Sequence, residues 1–196
     1  PTSPTSLRQL SQTTLHPSFC KFAPAEHVFL VMRRLRFIPE QHLVEITDRT
    51  EEGRLLLRPG SHFNDLFLGV LGRAQRRYGM TIHYCAVLSN HYHLLLSPSS
   101  PQQLAAFSCF FKGNLAKEIC RLHGCKRHVW ARRYQAIVVS DEEKAQVARL
   151  RYLLSHGVKE GLVARVADWP GPNFLTALLS ATPLRGTWFD RTAECK

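Results

Sequence analysis

Chemistry is densest in the run Asn90-His91-Tyr92-His93-Leu94-Leu95-Leu96. In a strand, residues two apart face the same way. His91 and His93 therefore share one face, and Tyr92 and Leu94 take the other. Two imidazoles side by side on a rigid strand can hold a divalent cation. The plainer alternative is a pair of surface or hydrogen-bonded histidines, and the motif alone does not decide between them. A second set is Arg149, Tyr152, His156 and Lys159, spaced 3, 4 and 3 apart, which puts them on one face of a helix. A tyrosine, a third candidate ligand and two cations on one stripe suit phosphodiester chemistry. Tyrosine is a nucleophile that leaves a covalent phosphoester, a metal polarises the phosphate, Arg149 can hold a phosphate oxygen in a fork, and Lys159 can act as a point charge. The plainer alternative for Tyr152 is a half-buried helix aromatic.

Charge supports a polyanionic partner. The formal net charge is +11, which favours nucleic acid over membrane, the bland alternative being a merely basic surface. Lys126, Arg127, His128, Arg132 and Arg133, with Trp130 and Tyr134 interleaved, suit single-stranded DNA: cations track phosphates and rings stack on bases. The other reading is an exposed charged strand whose aromatics face the core. Six cysteines are scattered with no CxxC, as expected of reduced, buried thiols in a cytosolic protein. Cys120, Cys125, His123 and His128 fit no standard zinc spacing. No apolar run is long enough to span a membrane, residues 1–10 lack a signal-peptide pattern, and no phosphate-cradling GxxxxGKS loop implies ATP.

The elements that must carry these residues follow from periodicity. Residues 1–40 read as a basic leader, partly disordered, including Arg33, Arg34 and Arg36; residues 41–196 read as one globular domain, consistent with 44% hydrophobic content. His42–Thr50 alternates as a half-buried strand, and Glu51-Glu52-Gly53 turns into a second short strand over Arg54–Arg58. Phe63, Leu66, Phe67, Val70, Leu71 and Ala74 predict a helix over 62–78. Strands at 81–88 and 91–97 flank the turn Ser89-Asn90. Pro101 opens a helix to about Leu122 with Leu104, Phe107, Phe111, Leu115 and Ile119 inward. A strand over 129–139 follows. Ser140–Glu143 reads as a capping box starting a helix whose core stripe is Val147, Leu150, Leu154 and Val158, ended by Gly157 or Gly161. The order β-β-α-β-β-α-β-α predicts an α+β, ferredoxin-like antiparallel sheet with helices packed on one face.

YGMTIHYCAVLSNHYHLLLS resembles the strand pair of the HUH single-tyrosine transposases, IS200-like, and VWARRYQAIVVSDEEKAQVARLRYLLSHGVKEGLVARVADWP resembles the catalytic helix and flanks of their REP-associated branch. The resemblance covers about residues 40–190. It implies the ferredoxin-like fold with a C-terminal catalytic helix. It implies a divalent metal held by His91 and His93, and Tyr152 as the nucleophile. The activity implied is cleavage and rejoining of single-stranded, folded-back hairpin DNA through a 5′-phosphotyrosine and a free 3′-hydroxyl. The phosphotyrosine bond conserves the energy for rejoining, so no ATP is implied. Four residues after the tyrosine, this branch often carries Asn-Pro, with the asparagine as third ligand; here the pair is His156-Gly157. The expected ligands are then His91, His93 and His156, with Arg132, Arg133, Arg149, Lys159 and Trp130 on DNA. The expected ion is Mg²⁺ or Mn²⁺, and this all-imidazole set favours Mn²⁺, Co²⁺ or Ni²⁺ over Mg²⁺, with affinity falling as the pH drops through about 6.5. The expected location is the cytoplasm, at the nucleoid, as a monomer or a dimer. Two alternatives stay open: a domesticated module that holds hairpin DNA or RNA without cutting, and a metal phosphodiesterase that uses water in place of Tyr152.

Overall fold

The computed structural model of the protein describes residues 37–194 apart from 41. Most of the expected leader, with Arg33, Arg34 and Arg36, lies outside the described residues, as do Cys20 and Cys195. Ile38 is buried in the core.

Four strands, β1 (Val44–Arg49), β2 (Thr81–Val87), β3 (His91–Ser97) and β4 (Gln135–Val138), form one sheet in the order β2-β3-β1-β4, with every pairing antiparallel. Helix α1 (Ser61–Tyr78) joins β1 to β2, and α2 (Pro101–His123) joins β3 to β4. After β4 come α3 (Glu143–Leu154) and a further turn, α4 (His156–Lys159). The architecture is α+β and ferredoxin-like.

One face of the sheet carries the main core. The expected inward residues of α1 and α2 are all buried, and they pack on Val44, Ile46, Tyr92, Leu94 and Leu96. Phe67, Phe111 and Tyr92 meet edge to face at ring-centroid distances of 5.4 to 6.2 Å. Helix α2 starts well: Ser100 caps it by accepting from the Gln103 amide, and Pro101 sits in its first turn.

The structure corrects five expectations. Arg54–Arg58 is not a strand, so the order is β-α-β-β-α-β-α. Glu51–Gly53 forms a 3-10 turn with Glu52 at φ 57, and the Thr50 hydroxyl then donates to the Arg54 carbonyl, which curls the chain off the sheet. The strand over 129–139 is interrupted. Val129 and Ala131 bond to Glu51 and Arg49, the chain bends over 131–133, and pairing resumes only at Gln135. The capping box does not form: the Ser140 hydroxyl accepts from the Glu142 amide instead, and the helix starts at Glu143 without a side-chain cap. Helices do not lie on one face only, because α3 covers the opposite one. Tyr84, Ala86 and Leu95 are apolar and alternate onto that second face, so they need a cover, and Leu153 of α3 provides it. Leu153 is the buried residue of α3, while Leu150 and Leu154 are half-buried and Val147 and Val158 are exposed.

Gly161, rather than Gly157, ends the α3–α4 run. At φ +67 it takes the left-handed conformation that favours glycine. The Leu162 amide donates back to Gly157 and the Gly161 amide to Val158, the bonding pattern of a Schellman motif.

Candidate metal centre and its basic bay

The second face of the sheet is where titratable residues gather. His91 and His93 stand there because they alternate with the buried Tyr92 and Leu94. On the neighbouring β1, Glu45, Thr47 and Arg49 occupy the same face by the same alternation. The run from α3 into α4 crosses above them and brings His156 down. The three histidines offer nitrogens that all lie within 4.8 Å of one another. Their ring centroids are 5.1 Å (His91–His93), 5.1 Å (His91–His156) and 4.6 Å (His93–His156) apart.

Second partners set which nitrogen each ring presents. His91 Nδ1 lies 2.6 Å from Asn90 Oδ1, and His93 Nδ1 lies 2.8 Å from Glu45 Oε1. With both Nδ1–H groups donated to these oxygens, each ring turns its Nε2 lone pair inward. His93 Nε2 is buried with no hydrogen-bond partner among the described residues. His91 Nε2 sits 2.9 Å from His156 Nε2. A buried, unpartnered ring nitrogen aimed at two other imidazoles fits a divalent cation. Burial, and then the neighbouring His93 and His156, hold His91 down at about 3. Burial followed by His93 lowers His156 as well. Both rings are therefore neutral at neutral pH, the form that ligates.

Glu45 extends the centre to the tyrosine stripe. It is 1% exposed. While Oε1 accepts from His93, Oε2 meets Arg149 Nη1 at 3.1 Å. Arg149 lies 5.7 Å from the centre of the Tyr152 ring, and Lys159 Nζ lies 4.8 Å from it. The Tyr152 ring is 5.3 Å from His156 and 37% exposed. An open bay of about 370 Å³ runs between the centre and this stripe, and Arg132 and Arg133 line it together with Tyr152. The bend at 131–133 that interrupts the strand is what places those two arginines there.

The structure thus brings His91, His93, His156, Tyr152, Arg149, Arg132 and Arg133 to one bay, with Lys159 against the tyrosine. Trp130 stands apart. Its indole N–H donates to the Lys112 carbonyl, and its ring packs edge-on against the buried Tyr92. Tyr134 is buried. Two members of the site escaped sequence reading. Asn90 was legible only as a turn residue, and Glu45 only as one polar position of an alternating strand. The signal for Glu45 lay in combining its face on β1 with that of His93, which requires knowing that the two strands pair.

The profile of the family described as Transposase IS200 like matches residues 60–153. Over this segment the chain matches the IS200-like transposase family. The match includes His91, His93 and Tyr152 but stops short of His156, and it begins after Glu45. A solved structure of a REP-associated tyrosine transposase bound to a REP hairpin aligns with a TM-score of 0.63 at 17% identity, covering 81% of this chain and 94% of that one. That likeness establishes the shared fold. A candidate transposase from Deinococcus radiodurans R1 aligns at 20% identity over 61% of this chain and 95% of that one, with a TM-score of 0.43. No curated protein matches the chain. With the match to the IS200-like family, a cluster of three histidines beside a helix tyrosine makes metal-assisted work on DNA the class of chemistry to test.

Proposed function

We propose that this IS200-like transposase cuts and rejoins single-stranded hairpin DNA, using Tyr152 as its nucleophile. The supporting observation is the convergence of His91, His93 and His156 beside Tyr152 in one cation-rimmed bay. The Tyr152 hydroxyl oxygen attacks the scissile phosphorus. The bond from phosphorus to the 3′ oxygen breaks, that oxygen takes a proton, and the 5′ phosphate stays on the tyrosine. Attack by a 3′-hydroxyl reverses the step, so no ATP is needed. Arg132, Arg133, Arg149 and Lys159 hold phosphates along the strand. A divalent ion held by His91, His93 and His156 would polarise the phosphate and offset developing charge. The donor set is all nitrogen, which favours Mn²⁺, Co²⁺ or Ni²⁺ over Mg²⁺. The hairpin comes from the solved REP-associated transposase, whose structure holds a REP hairpin. The location that goes with this reading is the cytoplasm, at the nucleoid.

The deciding experiment is incubation with end-labelled hairpin DNA and Mn²⁺, followed by a denaturing gel. The wild-type protein should give a covalent protein–DNA adduct, and Tyr152→Phe should give none while binding the hairpin nearly as well. An adduct of undiminished yield in the variant overturns the assignment of Tyr152. Cleavage with no adduct in the wild type points to water as the nucleophile, and tight hairpin binding with neither product points to a binding module.

A further inference from the structure

At the far end of α2, Cys120 and Cys125 lie sulfur to sulfur at 2.8 Å. They are five residues apart across the end of the helix. Gly124 makes the approach possible: at φ +61 it takes the left-handed conformation and turns the chain back over the last helical turn. The turn is held in place from several sides. His123 Nε2 bonds to the Leu56 carbonyl at 3.0 Å, Arg54 donates to the His128 carbonyl, and the Glu51 amide donates to Val129. Both thiols are half-exposed, whereas Cys85 is buried.

We propose that Cys120 and Cys125 form a reversible intramolecular disulfide. The sulfurs need to close by only about 0.8 Å to reach the ~2.05 Å bond, and the turn already presents them to each other. Oxidised glutathione supplies the chemistry by exchange. One cysteine sulfur attacks the glutathione disulfide and releases one glutathione thiolate; the second attacks the mixed disulfide and releases the other. The two cysteine sulfurs lose two electrons and two protons, and the two glutathiones gain them. Burial and then the contact with Cys125 push the Cys120 thiol up to about 11. It therefore rests as a thiol at neutral pH, and exchange quickens as the pH rises. The closed ring is short and stabilises less by ordering the unfolded chain than a long loop would. Oxidation would fasten the start of the loop carrying Lys126, Arg127 and His128, whose other end is already tied at Val129 and Trp130.

The test uses the full chain equilibrated in glutathione buffers of rising oxidised fraction, quenched with iodoacetamide and digested with trypsin without reduction. Trypsin cuts after Lys117, Arg121 and Lys126, so the disulfide joins two separate peptides, Glu118–Arg121 and Leu122–Lys126. That linked pair should accumulate with oxidant and disappear with excess reduced glutathione. In Cys125→Ser the linked pair should be absent, and Cys120 should instead retain glutathione as a mixed disulfide. The proposal is overturned if Cys120 and Cys125 remain fully alkylated while the exposed Cys109 takes up glutathione. It is equally overturned if either is found joined only to glutathione, Cys20, Cys109 or Cys195 in the wild-type chain.

Discussion

Glu45 places a carboxyl group where almost no water reaches it, with one oxygen on an imidazole and the other on a guanidinium. A carboxylate on the far nitrogen of a candidate ligand fixes the ring tautomer and raises its basicity. Glu45→Gln keeps an acceptor for His93 but removes the charge, so Mn²⁺ affinity by calorimetry should fall by about 10- to 100-fold. Hairpin affinity should hold or rise, because Arg149 is released to meet phosphate. Unchanged Mn²⁺ affinity would show that the carboxylate only packs. His91 sets the pH response. Its folded value is held down at about 3 by burial first, then by His93, His156 and Arg49, while the unfolded chain keeps the ordinary ~6.5. The unfolded state therefore binds the extra proton. The metal-free protein keeps the full contribution of this group above about 6.5 and loses it as the pH falls toward about 3. Thermal melts in chelator should show stability falling from pH 7 to 5, and a rise would contradict the assignment. The depression at His91 and His156 moves proton competition for the metal lower than the sequence alone suggests, so Mn²⁺ binding should persist below the ordinary histidine range.

At the scale of elements, α3 is the weak member. Helices α1 and α2 bury long stripes, but α3 and α4 bury only Leu153 and His156. Leu153→Ala should cost roughly 2–5 kcal/mol and loosen the helix that carries Tyr152. Hydrogen exchange should quicken over 143–160 with little change in α1 and α2, and adduct yield should drop. Uniform quickening would mean that α3 is integral to the main core. The same contrast explains what was legible beforehand. Phe63 to Ala74 and Leu104 to Ile119 repeat at helical spacing over several turns, and the alternation around His91 and His93 is unbroken, so their elements and faces could be read directly. α3 covers only a small patch, so its periodicity pointed to Val147 and Val158, which are exposed, and missed Leu153. Arg54–Arg58 is a short apolar run, three leucines between two arginines, but Glu52 and Thr50 turn it away through local structure that no propensity reports. Glu45 and His93 meet across 48 residues of chain. Such a pair is visible only once strand order is known.

For the molecule as a whole, the +11 charge has a place to act in the bay between Arg132, Arg133 and Arg149. If these residues meet phosphates, affinity for single-stranded DNA should fall with salt at a log–log slope of about −0.7 per contact. Arg132→Ala or Arg133→Ala should each flatten that slope by roughly one contact's worth. An affinity indifferent to salt would leave the charge as a solvated surface. The sheet itself partitions the protein: one face of β3 gives Tyr92, Leu94 and Leu96 to the core, and the other gives His91 and His93 to the bay. Because that division has a period of two, a slip of β3 by a single residue would carry an aromatic ring into the bay and an imidazole into the core. Correct folding and a working site are thus decided by one register, and misaligned chains with intact chemistry have no way to arise.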